Sequence, residues 1–240
     1  DQGAVSDARI FRIGSDYADK GTELKFGSYL IQPASSMAEV IELLTAGGQS
    51  TCGREVNFRI SVNTTDVVLR ELDAATNRYV EVVKFDPAAG AAPAEYLEAA
   101  TADDMRWRIT VAEGVTSWQV VEGLKRADFL EGKIDQVPPE GSLAPDSYEV
   151  DRGADRQALL GEMSDRQARI LAELWEMRAP DLPYDTPEKA MVMASIVEKE
   201  TGVASERARI AGVFINRLRK GMPLQSDPTV IYALTNGQPQ

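Results

Sequence analysis

The pattern of the chain changes at Pro138-Pro139-Glu140-Gly141, and this change constrains the fold more than any other feature. Before it, short alternating runs predict strands. Glu55-Val-Asn-Phe-Arg-Ile-Ser-Val alternates as a half-buried strand. Val67-Val-Leu-Arg-Glu-Leu and Tyr79-Val-Glu-Val-Val-Lys-Phe flank Asp73-Ala-Ala-Thr-Asn77, which predicts a hairpin. After it, apolar residues recur at helical spacing. Ala154–Arg178 reads as a long amphipathic helix with Leu159, Leu160, Met163, Ile170, Leu171, Leu174 and Met177 on its inner side. The chain is therefore expected to be α+β, with a boundary near residue 138 and a mainly helical region over 138–240.

Finer units can be read on both sides. Residues 1–20 are polar and read as a loose arm, followed by an α+β region over 21–137. Lys25-Phe-Gly-Ser-Tyr-Leu-Ile-Gln predicts a strand. Ser35-Ser36 caps a helix through Val40, Ile41 and Leu44, and Gly47-Gly48 stops it. The pattern returns as strand Ile109–Val111, cap Thr116, and a helix through Val120, Val121 and Leu124. Asp86–Pro93 reads as a loop. Thr186-Pro187 opens a helix that Gly202 ends. Ser205 caps the next, with Ile210, Val213, Phe214 and Leu218 buried and Gly221 at its end. Asp227-Pro228 opens the last.

Composition narrows the chemistry. The net charge is -12, against the basic stripe that a nucleic-acid partner needs. Cys52 is the only cysteine, so there is no internal disulfide and no cysteine metal site. There is no histidine, which removes His-ligated zinc and the Ser-His-Asp triad. No cofactor or metal is implied, and acid–base work falls to Asp, Glu, Lys or Tyr. No apolar run approaches the ~18 residues of a membrane span. The chain starts at Asp1 and not at Met, so it reads as an excised or processed piece in which an upstream membrane anchor would not be seen.

The candidate centre is Met191-Val-Met-Ala-Ser-Ile-Val-Glu198-Lys-Glu200-Thr201-Gly202. Met193, Ile196, Val197 and Glu200 stand at i, i+3, i+4 and i+7, so Glu200 continues an apolar stripe. A carboxyl there would be desolvated and near the negative end of the helix dipole, and both effects favour the neutral acid. That is the state a general acid for glycosidic bonds requires. The spacing also fits a last turn with both glutamates in solvent. Glu198 lies off the stripe, better placed to pair with a cation. Polar residues follow closely: Ser205, Glu206, Asn216, Gln225, Ser226 and Asp227. Ser205 and Asp227 make good N-caps, whereas Asn216 and Gln225 offer amides for sugar hydroxyls. Gly212 would admit a close approach. Trp107, Trp118 and Trp175 are scattered and read as core.

Ala194-Ser-Ile-Val-Glu-Lys-Glu-Thr201, Ala204-Ser-Glu-Arg207, Val213-Phe-Ile-Asn-Arg-Leu218 and Gly221-Met-Pro-Leu-Gln-Ser-Asp-Pro-Thr-Val-Ile-Tyr232 resemble the YceG-like endolytic murein transglycosylases almost continuously. Glu140-Gly-Ser-Leu-Ala-Pro-Asp-Ser-Tyr148 resembles another segment of that family, with Ser142 and Ala144 in place of bulkier residues. Phe26-Gly-Ser-Tyr29 and the following helix resemble its LysM-like module, and 51–105 look like a β-rich insertion. The resemblance implies a lytic transglycosylase that cleaves the MurNAc–GlcNAc bond of peptidoglycan without water and leaves a 1,6-anhydro end. It implies Glu200 as the catalytic acid and base; Asn216, Gln225, Ser226, Glu198 and Tyr148 are the expected substrate-binding residues. It also implies the periplasmic side of the bacterial inner membrane, an anchor before Asp1, and cell-wall synthases as partners. One carboxyl suffices because the sugar's own C6 hydroxyl attacks, whereas a hydrolase needs two. The family's pattern continues beyond Tyr232 with Tyr-Asn-Thr-Tyr and Gly-Leu-Pro-Pro-Gly stretches not found in these 240 residues. The catalytic domain is thus expected to be incomplete, and inactive in this form if so. Two other readings stay open: a non-catalytic glycan-binding module, and a hydrolase pairing Glu200 with Glu198 or Asp227.

Overall fold

The computed structural model describes residues 7–24, 29, 31, 34–45, 53–73, 76, 78–102 and 105–238. The expected strand at 25–32 and the glycine stop at 47–48 fall largely or wholly outside them. Strands β1 (Arg54–Ile60), β2 (Thr65–Asp73), β3 (Arg78–Phe85), β4 (Met105–Val111) and β5 (Ser147–Val150) form one sheet in the order β3-β2-β1-β4-β5. The strands of the 51–105 segment are thus part of the same sheet as β4 and β5. The expected hairpin has its two strands adjacent, and the backbone N–H of Thr76 donates to Asp73 in the turn (3.1 Å). β1 departs from the half-buried expectation. It sits at the centre of the order and is buried almost throughout, because both of its faces are covered. Asn57 is tolerated there because its side-chain oxygen accepts from the Thr110 hydroxyl (2.9 Å).

Packing divides the chain into two compact units. One comprises Asp1–Glu55, Leu69–Val83 and Ala94–Met105. Here the expected loose arm is a helix, α1 (Ala8–Tyr17), capped by Asp7 and packed on α2 (Met37–Thr45). The helix is amphipathic, but Ile10 and Ile13 stay exposed while Ser15 is buried, so its apolar residues are not the ones that the fold covers. Ser36 caps α2 in a reciprocal pair with Glu39, whose carboxylate accepts from the Ser36 N–H (2.7 Å) while Ser36 accepts from the Glu39 N–H (3.3 Å). Tyr96 and Ala99 on α3 (Ala94–Ala99) are buried in the same unit.

The other unit comprises Val56–Val68, Lys84–Pro93 and Arg106–Gln240. The change of pattern at 138–141 is therefore no break in packing. β5 lies beyond it and pairs antiparallel with β4, Trp107 opposite Val150. Helix α4 (Ser117–Arg126) places Val120, Val121 and Leu124 in the core with Phe58, Ile109 and Phe129. Thr116 caps it, with Gln119 returning the bond (3.2 and 2.9 Å). α5 (Arg156–Glu176) adds Leu159, Leu160 and Met163. Its stripe is real but only its first turns are covered: Ile170, Leu174 and Met177 are exposed.

α6 (Pro187–Glu200) packs against α5, α7 (Arg207–Arg219) and α8 (Asp227–Thr235). A small apolar cluster holds them: Met193, Ile196, Val197 and Phe214 are buried, with Tyr184, Ile210 and Leu224 against them. Thr186 caps α6 as expected (3.3 Å). Two expected caps differ. Ser205 lies inside a 3-10 turn, Ala204–Glu206, that precedes α7. The N-cap position of α8 is Ser226, and Asp227 is the first helical residue. Gly221 ends α7 at φ 63°, the left-handed conformation that suits glycine after a helix.

Candidate active site

The carboxylate of Glu200 lies at the end of α6, and the loop before α8 comes back to it. Ser226 Oγ donates to Glu200 Oε1 at 2.6 Å. The stripe reading expected Glu200 to be buried. It is exposed, and Thr201 is buried in its place at 8%. The apolar cluster covers α6 only as far as Val197. The desolvation on which that expectation rested is therefore missing, and one carboxylate oxygen is held while the residue stays open to solvent.

The rest of the helix end is polar and paired. Glu198 meets Arg207 at 3.1 Å, and Arg207 also reaches Glu113 at 4.0 Å. Lys199 donates to the carbonyl of Gly114 (3.0 Å). Thr201 donates to Glu206 (3.1 Å) and accepts from the Val203 N–H (3.0 Å), which turns the chain into α7. The charged residues around Glu200 are thus each engaged, Glu198 and Glu113 with Arg207, Lys199 with a backbone carbonyl and Glu206 with Thr201, and none of these bonds uses the Glu200 carboxylate.

Glu140, from the segment 140–148, closes the N-terminus of α4. Its two oxygens accept from the Ser117 N–H at 3.1 and 3.2 Å. Burial pushes its carboxyl above the usual range, against the pull of that N–H and of the Lys199 charge. Sequence reading named neither Glu140 nor Arg207 as a site residue. Glu140 meets Ser117 across 23 residues, and Arg207 meets Glu198 across a turn of the chain and Glu113 from a distant segment, so no helical or strand spacing marks either.

The other expected site residues divide. Gln225 is exposed beside Ser226, in the left-handed region at φ 53°. Asn216 and Asp227 are exposed on α7 and α8. Tyr148 is in the core, 2% exposed, its hydroxyl donating to the Ala144 carbonyl at 2.7 Å. That corrects its reading as a sugar contact: the hydroxyl is spent on the backbone. Burial moves it up to about 12, with the nearby Arg166 acting the other way. Gly212, expected to admit a close approach, faces open space.

A five-stranded sheet is continued by helices, and at the end of one of them the Glu200 carboxylate is hydrogen-bonded to Ser226 in a chain without histidine. Comparison with known families narrows this further: the YceG-like family model matches residues 68–240, and the chain belongs to that family. The match takes in much of the segment 51–105. An endolytic murein transglycosylase of Streptococcus pneumoniae serotype 2 (strain D39 / NCTC 7466) is 27% identical over 235 residues, 96% of this chain and 39% of that protein. One from Bacillus subtilis (strain 168) is 56% identical over 45 residues, 19% of this chain and 12% of that protein. The chain thus spans about two-fifths of the length of the streptococcal relative.

Proposed function

We propose that this chain carries the acid–base centre of an endolytic murein transglycosylase, a lyase that cuts peptidoglycan glycan strands at the MurNAc–GlcNAc bond. The observation that carries the reading is the Glu200 carboxylate, held on one oxygen by Ser226 and otherwise exposed. In the reaction, protonated Glu200 gives its proton to the glycosidic oxygen and the C1–O bond breaks. The C6 hydroxyl of the same sugar then bonds to C1 and returns its proton to Glu200, so no water is consumed and a 1,6-anhydro end forms. Gln225 and Asn216 supply amide groups for the sugars' hydroxyl and N-acetyl groups. Glu198 takes no part as a second carboxylate, because Arg207 holds it. The substrate places the site on the extracytoplasmic side of the inner membrane, through an anchor outside these residues, beside the cell-wall synthases. The Phe26-Gly-Ser-Tyr29 segment and α2 belong, in this reading, to a LysM-like module that grips glycan. No helix among the described residues is long and apolar enough to cross a membrane.

The test is product mass and mutagenesis in the full-length protein acting on purified glycan strands. Products lighter by one water than hydrolysis products are expected, with turnover lost in Glu200→Gln and kept in Glu198→Gln. Hydrated ends would favour a hydrolase, and the reverse mutational pattern would move the acid to Glu198. Binding without turnover of any kind would leave a glycan-binding module.

A further inference from the structure

Ser226 occupies the N-cap position of α8, where a serine side chain ordinarily accepts from the helix's first N–H groups. It makes no such bond. Its hydroxyl is instead turned to Glu200, and the residue is only 4% exposed. Three features hold it there. Arg217 on α7 donates to the carbonyl of Leu224, whose side chain packs on the apolar cluster. Gln225 takes a left-handed conformation at φ 53°, which is strained for a residue with a Cβ. Thr229 then fixes the Ser226 carbonyl from the other side, its hydroxyl donating at 2.6 Å. A helix cap is given up and backbone strain is accepted, and the contact obtained is the one to the carboxylate.

We propose that Ser226 is a positioning residue for Glu200 and not a sugar contact. By holding Oε1 it fixes the carboxyl plane, so that Oε2 presents the proton to the glycosidic oxygen and receives it back from the C6 hydroxyl. The hydroxyl also stabilises the carboxylate as it forms when the proton leaves, an interaction stronger in the transition state than in the ground state. Gln225 and Arg217 act one step further out, by aiming Ser226. This rests on the reading of Glu200 as the catalytic acid.

The experiment compares Ser226→Ala, Ser226→Thr and Glu200→Gln in the full-length protein on purified glycan strands, with melting temperature alongside. Ser226→Ala should lower kcat about ten- to a hundredfold, the range of a hydrogen bond to a charged group. KM should stay within about twofold, since uniform binding is untouched. Ser226→Thr keeps the hydroxyl and should recover most of the loss. The melting temperature should move little, because no cap bond is lost and the exposed Glu200 carboxylate takes water in place of the hydroxyl; should Ala prove unstable, Gly, which N-cap positions accept, replaces it. A raised KM at unchanged kcat would make Ser226 a sugar contact and overturn the proposal. So would unchanged kinetics, a Thr variant as slow as Ala, or a rate loss that tracks lost stability. Retained turnover in Glu200→Gln would instead bring down the site assignment itself.

Discussion

Truncating Phe214 tests whether the site stands on its own small cluster of apolar side chains. Phe214 is 6% exposed and packs with Met193, Ile196 and Val197, the other buried members of that cluster among the described residues. Phe214→Ala removes the ring from the contact between α6 and α7. The usual cost of such a truncation is about 3–5 kcal/mol, transfer and cavity terms together. A whole domain has only about 5–15 kcal/mol in hand. The loss should not spread evenly. The sheet core around Phe58, Ile109 and Leu124 is filled by α4 and α5 side chains. Amide hydrogen exchange in native conditions reads the two clusters separately. Exchange in α6 and α7 should accelerate by roughly two to almost four powers of ten, 1.4 kcal/mol being tenfold. Exchange in β4 and α4 should change by less than about tenfold. Turnover of the full-length protein should fall with it, because the alignment of Glu200 with Ser226 depends on the α6–α7–α8 packing. Equal acceleration in both regions would refute the reasoning, since it would mean one cooperative core. A loss below about 1 kcal/mol would show that Phe214 is not what joins the helices.

Tyr148→Phe should cost about 1–2 kcal/mol at neutral pH by leaving the Ala144 carbonyl without its donor. The Tyr148 hydroxyl is raised in the fold to about 12 from 10. Wild-type stability should therefore be full below pH 10 and fall as pH rises toward 12, a slope absent from the Phe variant; parallel denaturation curves above pH 10 would count against a buried hydroxyl. Glu140→Gln keeps an acceptor for the Ser117 N–H but cannot ionise. Because burial raises the Glu140 carboxyl above 4.5, wild type should lose stability relative to Gln as pH rises from that value, and a constant difference between pH 4 and 7 would contradict this. Thr116→Ala removes a capping box and the bond from its hydroxyl to the Gly237 carbonyl (2.8 Å), so urea unfolding should show a loss of about 1–2 kcal/mol. A loss near zero would show that neither bond is formed in solution.

Most of what depends on a few neighbouring residues was legible in the chain. The caps at Ser36, Thr116 and Thr186 need only partners three residues on, and they form. Alternation and helical spacing located β1 to β4 and α4 to α8, because side-chain period follows backbone geometry directly. The glutamate at the end of α6 and the motif around it are likewise local, and with them the family. Tertiary packing decided the rest. Whether an apolar stripe is covered depends on what lies across from it: α5 presents Leu159 and Ile170 on one side, yet only Leu159 is buried. The same holds for Glu200, which continues the stripe of Met193 and Val197 but lies past the reach of α7. The placement of β1 at the centre of the sheet follows from pairing between distant segments, which no spacing encodes. Ser226 shows the difference most sharply. In the sequence its neighbours mark a helix start. In the fold, the left-handed Gln225 and the Arg217 anchor aim its hydroxyl at Glu200, which takes its proton, and its oxygen is left out of reach of the helix N–H groups that it would otherwise cap, because its direction is set by backbone held from another helix.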